Sequence, residues 1–210
     1  MSEKPRSPWP KLALGECFQI DSGNAPGTLR RENGTIPLVG ANGQIGYCAK
    51  SNFGPGFIVG RVGSAGLVSR IRDRVWASDN TLTLTPLSHV DDNFAHHLLL
   101  SAKPWNLATL TAQPLITQSN LSALQVLLPK RDEQAAIARI LDTLDTQIEK
   151  TQALIAKLEQ VKEGLLHDLL TRGVDENGEL RPSAEEAPEL YKASALGLIP
   201  REWAVAALES

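Results

Sequence analysis

The sequence predicts an α+β protein: a mainly antiparallel β domain with short helices, followed by one long α-helix that forms an intermolecular antiparallel coiled coil. Residues 1–130 are rich in Gly, β-branched residues and turn-forming stretches. Residues 132–170 contain no Pro and one Gly, and their apolar residues follow a seven-residue repeat. The final residues resemble the first ones, which indicates a duplicated architecture.

Five short apolar or alternating runs predict the strands of the β domain, which we place at residues 1–130. They are TIPLV (35–39), QIGYC (44–48), FIVGRV (57–62), GLVSRI (66–71) and TLTLT (81–85). Stretches such as ANG and GSAG lie between them and favour turns. DDNFAHHLLLSA (91–102) predicts a helix with Asp91 or Asp92 near its N-terminus. LITQSNLSALQVLLP (115–129) predicts an extended segment that closes the domain.

A single long helix is predicted at residues 131–172. With Thr151 and Lys162 included, its apolar residues alternate in steps of four and three; they are Ile137, Leu141, Leu144, Ile148, Ile155, Leu158, Leu165 and Leu169. A stripe of this period faces another helix along a left-handed seam. At about 1.5 Å per residue, the 39 residues from 132 to 170 reach about 58 Å, which exceeds a small β domain.

Two alternatives to an intermolecular pair are a helix hairpin and a helix that packs back on its own domain. We expect a separate partner helix, because the sequence shows no second long helix. That partner comes from another copy of the chain or from another protein.

Residues 173–210 are predicted to be a linker and the start of a truncated second repeat. Gly173 predicts the end of the helix, VDENGEL a turn, and RPSAEEAPE a polar linker. Trp203 is then followed five residues later by Leu208, as Trp9 is followed by Leu14. We therefore expect domain, helix, domain, helix, with this chain stopping just inside the second unit.

The charge is unevenly distributed along the chain. Residues 1–130 carry 12 Lys and Arg against 8 Asp and Glu, a balance of +4, whereas residues 131–210 carry 9 against 16, a balance of −7. The basic half is therefore the better candidate for a polyanionic partner. No apolar run is long enough to cross a bilayer and no signal peptide is evident, so we expect a cytoplasmic protein without a membrane partner.

The sequence predicts no catalytic centre. Cys17 and Cys48 lack zinc-site spacing and are expected to be reduced and partly buried. The adjacent His96 and His97 are expected to pack within a helix rather than to bind metal. There is no nucleophile elbow, no adenine-methyltransferase Asp/Asn-Pro-Pro-Phe/Tyr stretch, and no Gly-rich cofactor loop after a strand. Metal, cofactor and catalysis are therefore not expected in this chain.

Several stretches, in the same order, resemble the specificity subunits of type I restriction–modification systems. IPLVGANGQIGY (36–47), FIVGRVGSAGLV (57–68) and WASDNTLTLTP (76–86) resemble parts of that family's target-recognition domain. QPLITQSNLSALQVLLPKRDEQAAIARILDTLDTQIEK (113–150) resembles the passage into its spacer helix, and the stretch from LLTRGVDENGEL to LIPREW resembles the junction before a second recognition domain. A complete subunit is about twice this length, so the chain resembles a half-subunit.

This resemblance implies a non-catalytic subunit that supplies sequence choice to a methyltransferase subunit, which itself binds S-adenosylmethionine, and through the complex to a restriction subunit. Two half-subunits paired as a homodimer would read a palindromic double-stranded DNA site in two parts. A rival hypothesis is a truncated relic or interaction protein that binds methyltransferase subunits through its helix without recognising DNA.

Candidate DNA contacts lie on the predicted loops and on one basic segment. Phosphates are typically bound by Arg and Lys, and base edges by Asn, Gln, Ser or Arg. The predicted contacts are Asn42, Gln44, Lys50, Arg61, Ser64, Arg70, Arg72, Arg74 and Gln113. If SRIRDRVW is extended, its three arginines share one face and Asp73 points the other way. Asn42 could instead only support a hairpin turn, and Arg61 could stabilise the fold.

Overall fold

The computed structural model describes residues 9–30, 33–108 and 114–206. The chain divides into two compact units, Met1–Leu144 and Asp145–Ser210. The first unit combines β-sheets with short helices, and the long helix begins within it. The predicted α+β class is confirmed at this level. None of the described helices has the length and apolar character that crossing a membrane requires.

The described residues of the first unit form nine short strands. They are β1 (Lys11–Ala13), β2 (Phe18–Ser22), β3 (Ile36–Gly40), β4 (Gly43–Cys48), β5 (Gly56–Gly60), β6 (Val68–Ile71), β7 (Trp76–Ala77), β8 (Thr81–Pro86) and β9 (Gln125–Leu127). The short helix α1 (Leu14–Cys17) lies between β1 and β2. All five predicted runs contain a strand, because each combines β-branched residues with flanking turn residues.

Strands β2, β8, β5 and β6 form a four-stranded antiparallel sheet in that order. Phe18 and Phe57 meet edge to face at 6.3 Å between ring centroids, at the centre of the main core. Four consecutive residues of β8, Thr81–Leu84, are buried, although the alternating TLTLT pattern predicts one exposed face. Leu82 and Leu84 belong to the main core, whereas the hydroxyls of Thr81 and Thr83 donate to the carbonyl oxygens of Ser78 and Asp21.

A second sheet has the order β4–β3–β7. Strands β3 and β4 form the predicted hairpin, with a register shift between Leu38 and Val39. Strand β7 pairs with β3 in parallel, which departs from the antiparallel pairing expected for the domain. The side-chain amide of Asn52 donates to the carbonyl oxygen of Ala77 and accepts from its N–H, and so holds β7 in place.

The segment 115–129 is not extended throughout, so that prediction is wrong in part. Helix α3 (Gln118–Ser122) interrupts it, and strand β9 pairs antiparallel with β1. The hydroxyl of Thr117 accepts a hydrogen bond from the backbone N–H of Asn120 and caps this helix. A local side-chain cap therefore overrides the apolar pattern that predicts extension.

Helices α2 (Asp92–Ala102) and α4 (Arg131–Thr171) match the two predicted helices closely. The Asp91 carboxylate accepts from the N–H groups of Asn93 and Phe94, as expected for an N-cap. The first turns of α4 pack on the domain, where Gln134 and Ala138 are buried. The 41-residue helix ends before Gly173, whose φ of +66° fits the predicted stop.

In the second unit, a short hairpin follows the stretch predicted to be a polar linker. Strands β10 (Tyr191–Ser194) and β11 (Gly197–Pro200) form an antiparallel hairpin. Tyr191 is buried, and its hydroxyl donates to the carbonyl oxygen of Pro182 at 2.7 Å. Trp203 leaves no room for a Cβ atom on Gly173. This apolar packing supplies the order that the acidic composition of residues 181–189 does not predict.

Candidate nucleic-acid interface

The turn between β3 and β4 presents two of the predicted polar side chains. Asn42 and Gln44 are both exposed, and the Gln44 amide donates to the carbonyl oxygen of Gly46 at 3.4 Å. Gly43 has a φ of +103°, which only glycine adopts readily. The hairpin therefore projects two side chains that can donate and accept hydrogen bonds.

The loop after β5 lies directly against this turn. A Cβ atom on Gly60 would stand 2.1 Å from the carbonyl oxygen of Ser64 and 3.1 Å from that of Ala41. The absence of a side chain at Gly60 therefore permits a close backbone approach at this point. This contact brings together the two loops that carry four predicted residues, which we call the hairpin end: Asn42, Gln44, Arg61 and Ser64.

Arg61 is held through its backbone rather than through its side chain. Its N–H donates to the carbonyl oxygen of Asn80 at 2.9 Å, and its own carbonyl accepts from Ile116 N–H at 3.0 Å. The Nε atom is buried and has no hydrogen-bond partner within the described residues. Most buried polar groups in proteins have a hydrogen-bond partner, so this unpartnered Nε atom is an exception.

SRIRDRVW is not extended throughout, so the condition for placing its three arginines on one strand face is not met. Strand β6 ends at Ile71 and the chain bends at Asp73, because Val75 leaves the β6 direction to pair with Phe53. Arg70, Arg72 and Arg74 nevertheless line one shallow depression of about 540 Å³. Asp73 lines the same depression rather than pointing away from it.

Two of these arginines are available for an external anion. The Arg70 guanidinium donates to the side-chain oxygen of Asn93 at 2.8 Å. Arg72 and Arg74 are exposed and form no hydrogen bond or ion pair with any residue that the structure describes. Unpaired guanidinium groups of this kind suit phosphate.

Lys50 is exposed and is connected to the same depression through β4 and β3, although it does not line it. It follows β4, whose last residue, Cys48, pairs with Ile36 at the start of β3. Residues at the start of β3 also line the depression that holds the arginines. We call this set the arginine end: Lys50, Arg70, Arg72 and Arg74.

The two ends lie at opposite ends of β5. Gly56, at one end of that strand, pairs with Ile71 beside the arginines, whereas Gly60 adjoins Arg61. Four residues of strand separate these points by about 13 Å. The predicted contacts therefore form two clusters rather than one, and Gln113 lies outside the described residues.

The adjacent histidines pack within the fold. The His96 ring stacks on Phe57 with 6.1 Å between centroids, and His97 Nε2 lies 2.8 Å from the Asp142 carboxylate on α4. In residues 9–30, 33–108 and 114–206, no three His, Cys, Asp or Glu side chains form a group that could hold a metal ion. Cys17 and Cys48 are buried free thiols, and burial raises the pKa of both.

The apolar stripe of α4 divides into two parts. Ile137 and Leu141 line a cavity of about 380 Å³ beside α2, and Ile137 packs against the domain core. The remaining six members of the predicted seam are 44–57% exposed; they are Leu144, Ile148, Ile155, Leu158, Leu165 and Leu169. Packing on the chain's own domain, one of the alternatives considered, therefore applies to the start of the stripe.

The structure therefore combines a β domain that has polar loops at two ends with a long helix that carries an exposed apolar stripe. Residues 6–160 match the family of type I restriction modification DNA specificity domains, and the chain belongs to this family. The family is non-catalytic. The expectation that the chain is a specificity subunit rather than an enzyme is confirmed at the level of the family.

Individual relatives share this family but are longer. The EcoprrI specificity subunit of Escherichia coli is 29% identical over 143 residues, which cover 65% of this chain and 36% of that subunit. The EcoDI specificity subunit of the same species is 21% identical over 214 residues, covering 93% and 47%. The crystal structure of the S subunit from M. genitalium is 24% identical, with a TM-score of 0.61 over 80% of this chain and 47% of that one. The chain thus spans about half the length of these relatives, or less.

Proposed function

We propose that this chain is the DNA specificity subunit of a type I restriction–modification complex and that it works as a homodimer. Two copies would pair antiparallel through the exposed stripe of α4 and present two recognition domains related by two-fold symmetry. The pair would then read a palindromic site in two parts, separated by unread base pairs.

The observation that carries this proposal is the exposed stripe on a helix attached to one recognition domain. Six apolar side chains in heptad register, all at least 44% exposed, form a surface that water disfavours. A second copy of α4 carries the same stripe with the same spacing. When two such helices pair, the apolar side chains of each pack between those of the other along a left-handed supercoil.

The two ends of the β domain suit different parts of DNA. Amide side chains such as those of Asn42 and Gln44 can pair with adenine edges in the major groove. The exposed guanidinium groups of Arg72 and Arg74 suit the phosphate backbone, which sets the position of a protein without specifying sequence. Lys50, Arg61, Ser64 and Gln113 complete the proposed contacts.

Catalysis in this proposal belongs to partner subunits. A methyltransferase subunit carrying S-adenosylmethionine would bind the paired helices and modify adenine, and a restriction subunit would join through the assembled complex. A solved structure that shares this fold at 18% identity comes from work on complex assembly and conformational transition of the type I R-M system. The chain itself would determine which DNA sequence the complex recognises.

The test is a genome-wide map of methylated adenine in cells that express this chain with its cognate methyltransferase subunit. A split palindrome methylated on both strands is the expected result. If both proteins are folded and present and no new motif is methylated, the proposal fails. The rival hypothesis, a protein that only sequesters methyltransferase subunits, then gains support.

A further inference from the structure

The Arg61 side chain lacks a partner in a place where partners are normally required. Its Nε–H is buried, and it meets no acceptor among the described residues. A buried donor that has lost water and gained no acceptor costs free energy. An external acceptor that enters beside the guanidinium would remove this cost.

Such an acceptor has room beside Arg61. A depression of about 520 Å³ is lined by Arg61 together with Ser22, Thr117, Gln118, Ser119 and Ser122. All six side chains can donate hydrogen bonds, and among these described lining residues there is no carboxylate to neutralise the guanidinium. The depression therefore favours an anion with several acceptor oxygens.

The walls of this depression are tied to one another by hydrogen bonds. The Gln118 amide donates to the carbonyl oxygen of Ile20 at 2.6 Å, and the Ser22 hydroxyl donates to the Gln118 carbonyl oxygen at 3.4 Å. The hydrogen bond from the Ile116 N–H to the Arg61 carbonyl oxygen joins the segment before α3 to the loop after β5. The donors are therefore arranged before any ligand arrives, which lowers the entropic cost of binding.

We propose that this depression binds one phosphate group of the DNA backbone, an inference that rests on the proposed function. Guanidinium with Ser and Thr hydroxyls is a donor set that proteins commonly direct at phosphate oxygens. The alternative anion, a carboxylate, has two oxygens in one plane, whereas a phosphodiester has two charged oxygens and two ester oxygens arranged tetrahedrally.

This phosphate site would set the register of base recognition. Gly60, the residue before Arg61, lies close to the hairpin turn at Ala41, the residue before Asn42. A phosphate held beside Arg61 would therefore place the neighbouring base pairs against the hairpin end. Phosphate contacts of this kind fix the position from which side chains read the bases.

Ser119→Asp tests the site, with Asn120→Asp as the matched control. Both residues are exposed and adjacent in α3, and only Ser119 lines the depression. Each variant adds one negative charge, so the general electrostatic effect is the same. We expect Ser119→Asp to weaken binding of a 30-base-pair DNA duplex about tenfold. The magnitude of the slope of log K, the DNA association constant, against the logarithm of the salt concentration should fall by about 0.9. Asn120→Asp should leave the slope unchanged.

Inorganic phosphate provides a second readout that does not depend on DNA recognition. The NMR signal of the Arg61 Nε–H should shift and saturate as phosphate is added to the wild-type chain and to Asn120→Asp, but not to Ser119→Asp. Arg61→Lys keeps the positive charge but loses the planar set of N–H donors. When Arg61→Lys is combined with Ser119→Asp or with Asn120→Asp, the two double variants should show the same slope of log K against log salt.

The outcomes separate this site from the proposed function. An unchanged salt slope in Ser119→Asp, with a methylated motif still present in cells, would overturn the phosphate site alone. An Arg61 signal that does not respond to phosphate would overturn it as well. A phosphate response without any methylated motif would support the site and count against the specificity function.

Discussion

The side-chain oxygen of Gln134 accepts a hydrogen bond from the backbone N–H of Asp91 at 2.8 Å, across 43 residues of sequence. Gln134 is only 1% exposed, and its amide nitrogen donates to the carbonyl oxygens of His89 and Pro129. Asp91 is also the N-cap of α2. One buried amide therefore joins the start of the long helix to the start of α2 and to the chain that precedes each helix.

Gln134→Met should destabilise the first unit by about 1–3 kcal/mol, because the volume is kept while three backbone groups, one of them buried, lose their partner. Urea unfolding monitored by tryptophan fluorescence measures the change. Ala136→Met, at a less buried position of the same helix, is the control and should change stability by less than about 0.5 kcal/mol. Equal stability of the two variants would show that the amide bonds contribute nothing.

Replacing Leu144 and Ile148 by Lys should convert the proposed dimer into a monomer with a folded β domain. The two charges would be forced into an apolar seam, whereas in the isolated helix both positions are about half exposed. Light scattering coupled to size exclusion measures the mass. Ala153→Lys with Ala156→Lys places the same two charges away from the heptad stripe and should leave the dimer intact. Dimerisation that survives the first pair of substitutions would rule out this seam.

Arg72→Gln with Arg74→Gln should weaken duplex binding on every sequence and leave the methylated motif unchanged. Each lost phosphate contact lowers the slope of log K against log salt by about 0.9, so the pair should lower it by about 1.8. Arg139→Gln, an exposed change on α4 outside the heptad stripe, is the charge control. A changed methylation motif would instead assign base recognition to the arginine end.

The turn after α4 should depend on pH through Asp175. Hydrogen bonds from the backbone N–H groups of Glu179 and Asn177 hold the pKa of this carboxyl below its ordinary value of 3.8. Because the folded turn favours the charged form, this stabilisation is complete above pH 3.8 and disappears as the pH falls through the lower folded value.

Carbon-detected NMR of the Asp175 side chain should therefore show a midpoint below 3.8, accompanied by loss of the shifted Glu179 amide signal. In Asp175→Asn that amide signal should no longer follow this acid transition. Glu176→Gln, on an exposed neighbour, should leave the transition in place. A midpoint at or above 3.8 would contradict the role of these hydrogen bonds.

Local sequence predicts the elements whose residues carry their own signal. Helix α4 was predicted within one residue at each end, because 39 residues of helix-forming composition give a long periodic pattern that ends at Gly173. The Asp91 cap and the β3–β4 hairpin were predicted for the same reason, since caps and turns depend on neighbouring residues.

The candidate site was only partly predictable. The individual loops could be found from their polar and Gly residues, but not the contact between Gly60 and Ala41 that brings two of them together. The residues Thr117 and Ser119 were missed beside Arg61, since the apolar pattern of 115–129 predicted an extended segment. The Thr117 cap was the one local signal that could have revealed the helix there.

The sequence by itself determined the α+β class, the length of the long helix and the heptad stripe, because periodicity and turn chemistry act over a few residues. Only the tertiary structure decided that Ile137 packs on the core while Leu144 stays exposed, and that the arginines gather around a bend rather than along a strand. These outcomes depend on contacts between residues distant in sequence. The free energy that favours these contacts comes from apolar burial and hydrogen bonding between distant residues, which a local sequence pattern does not encode.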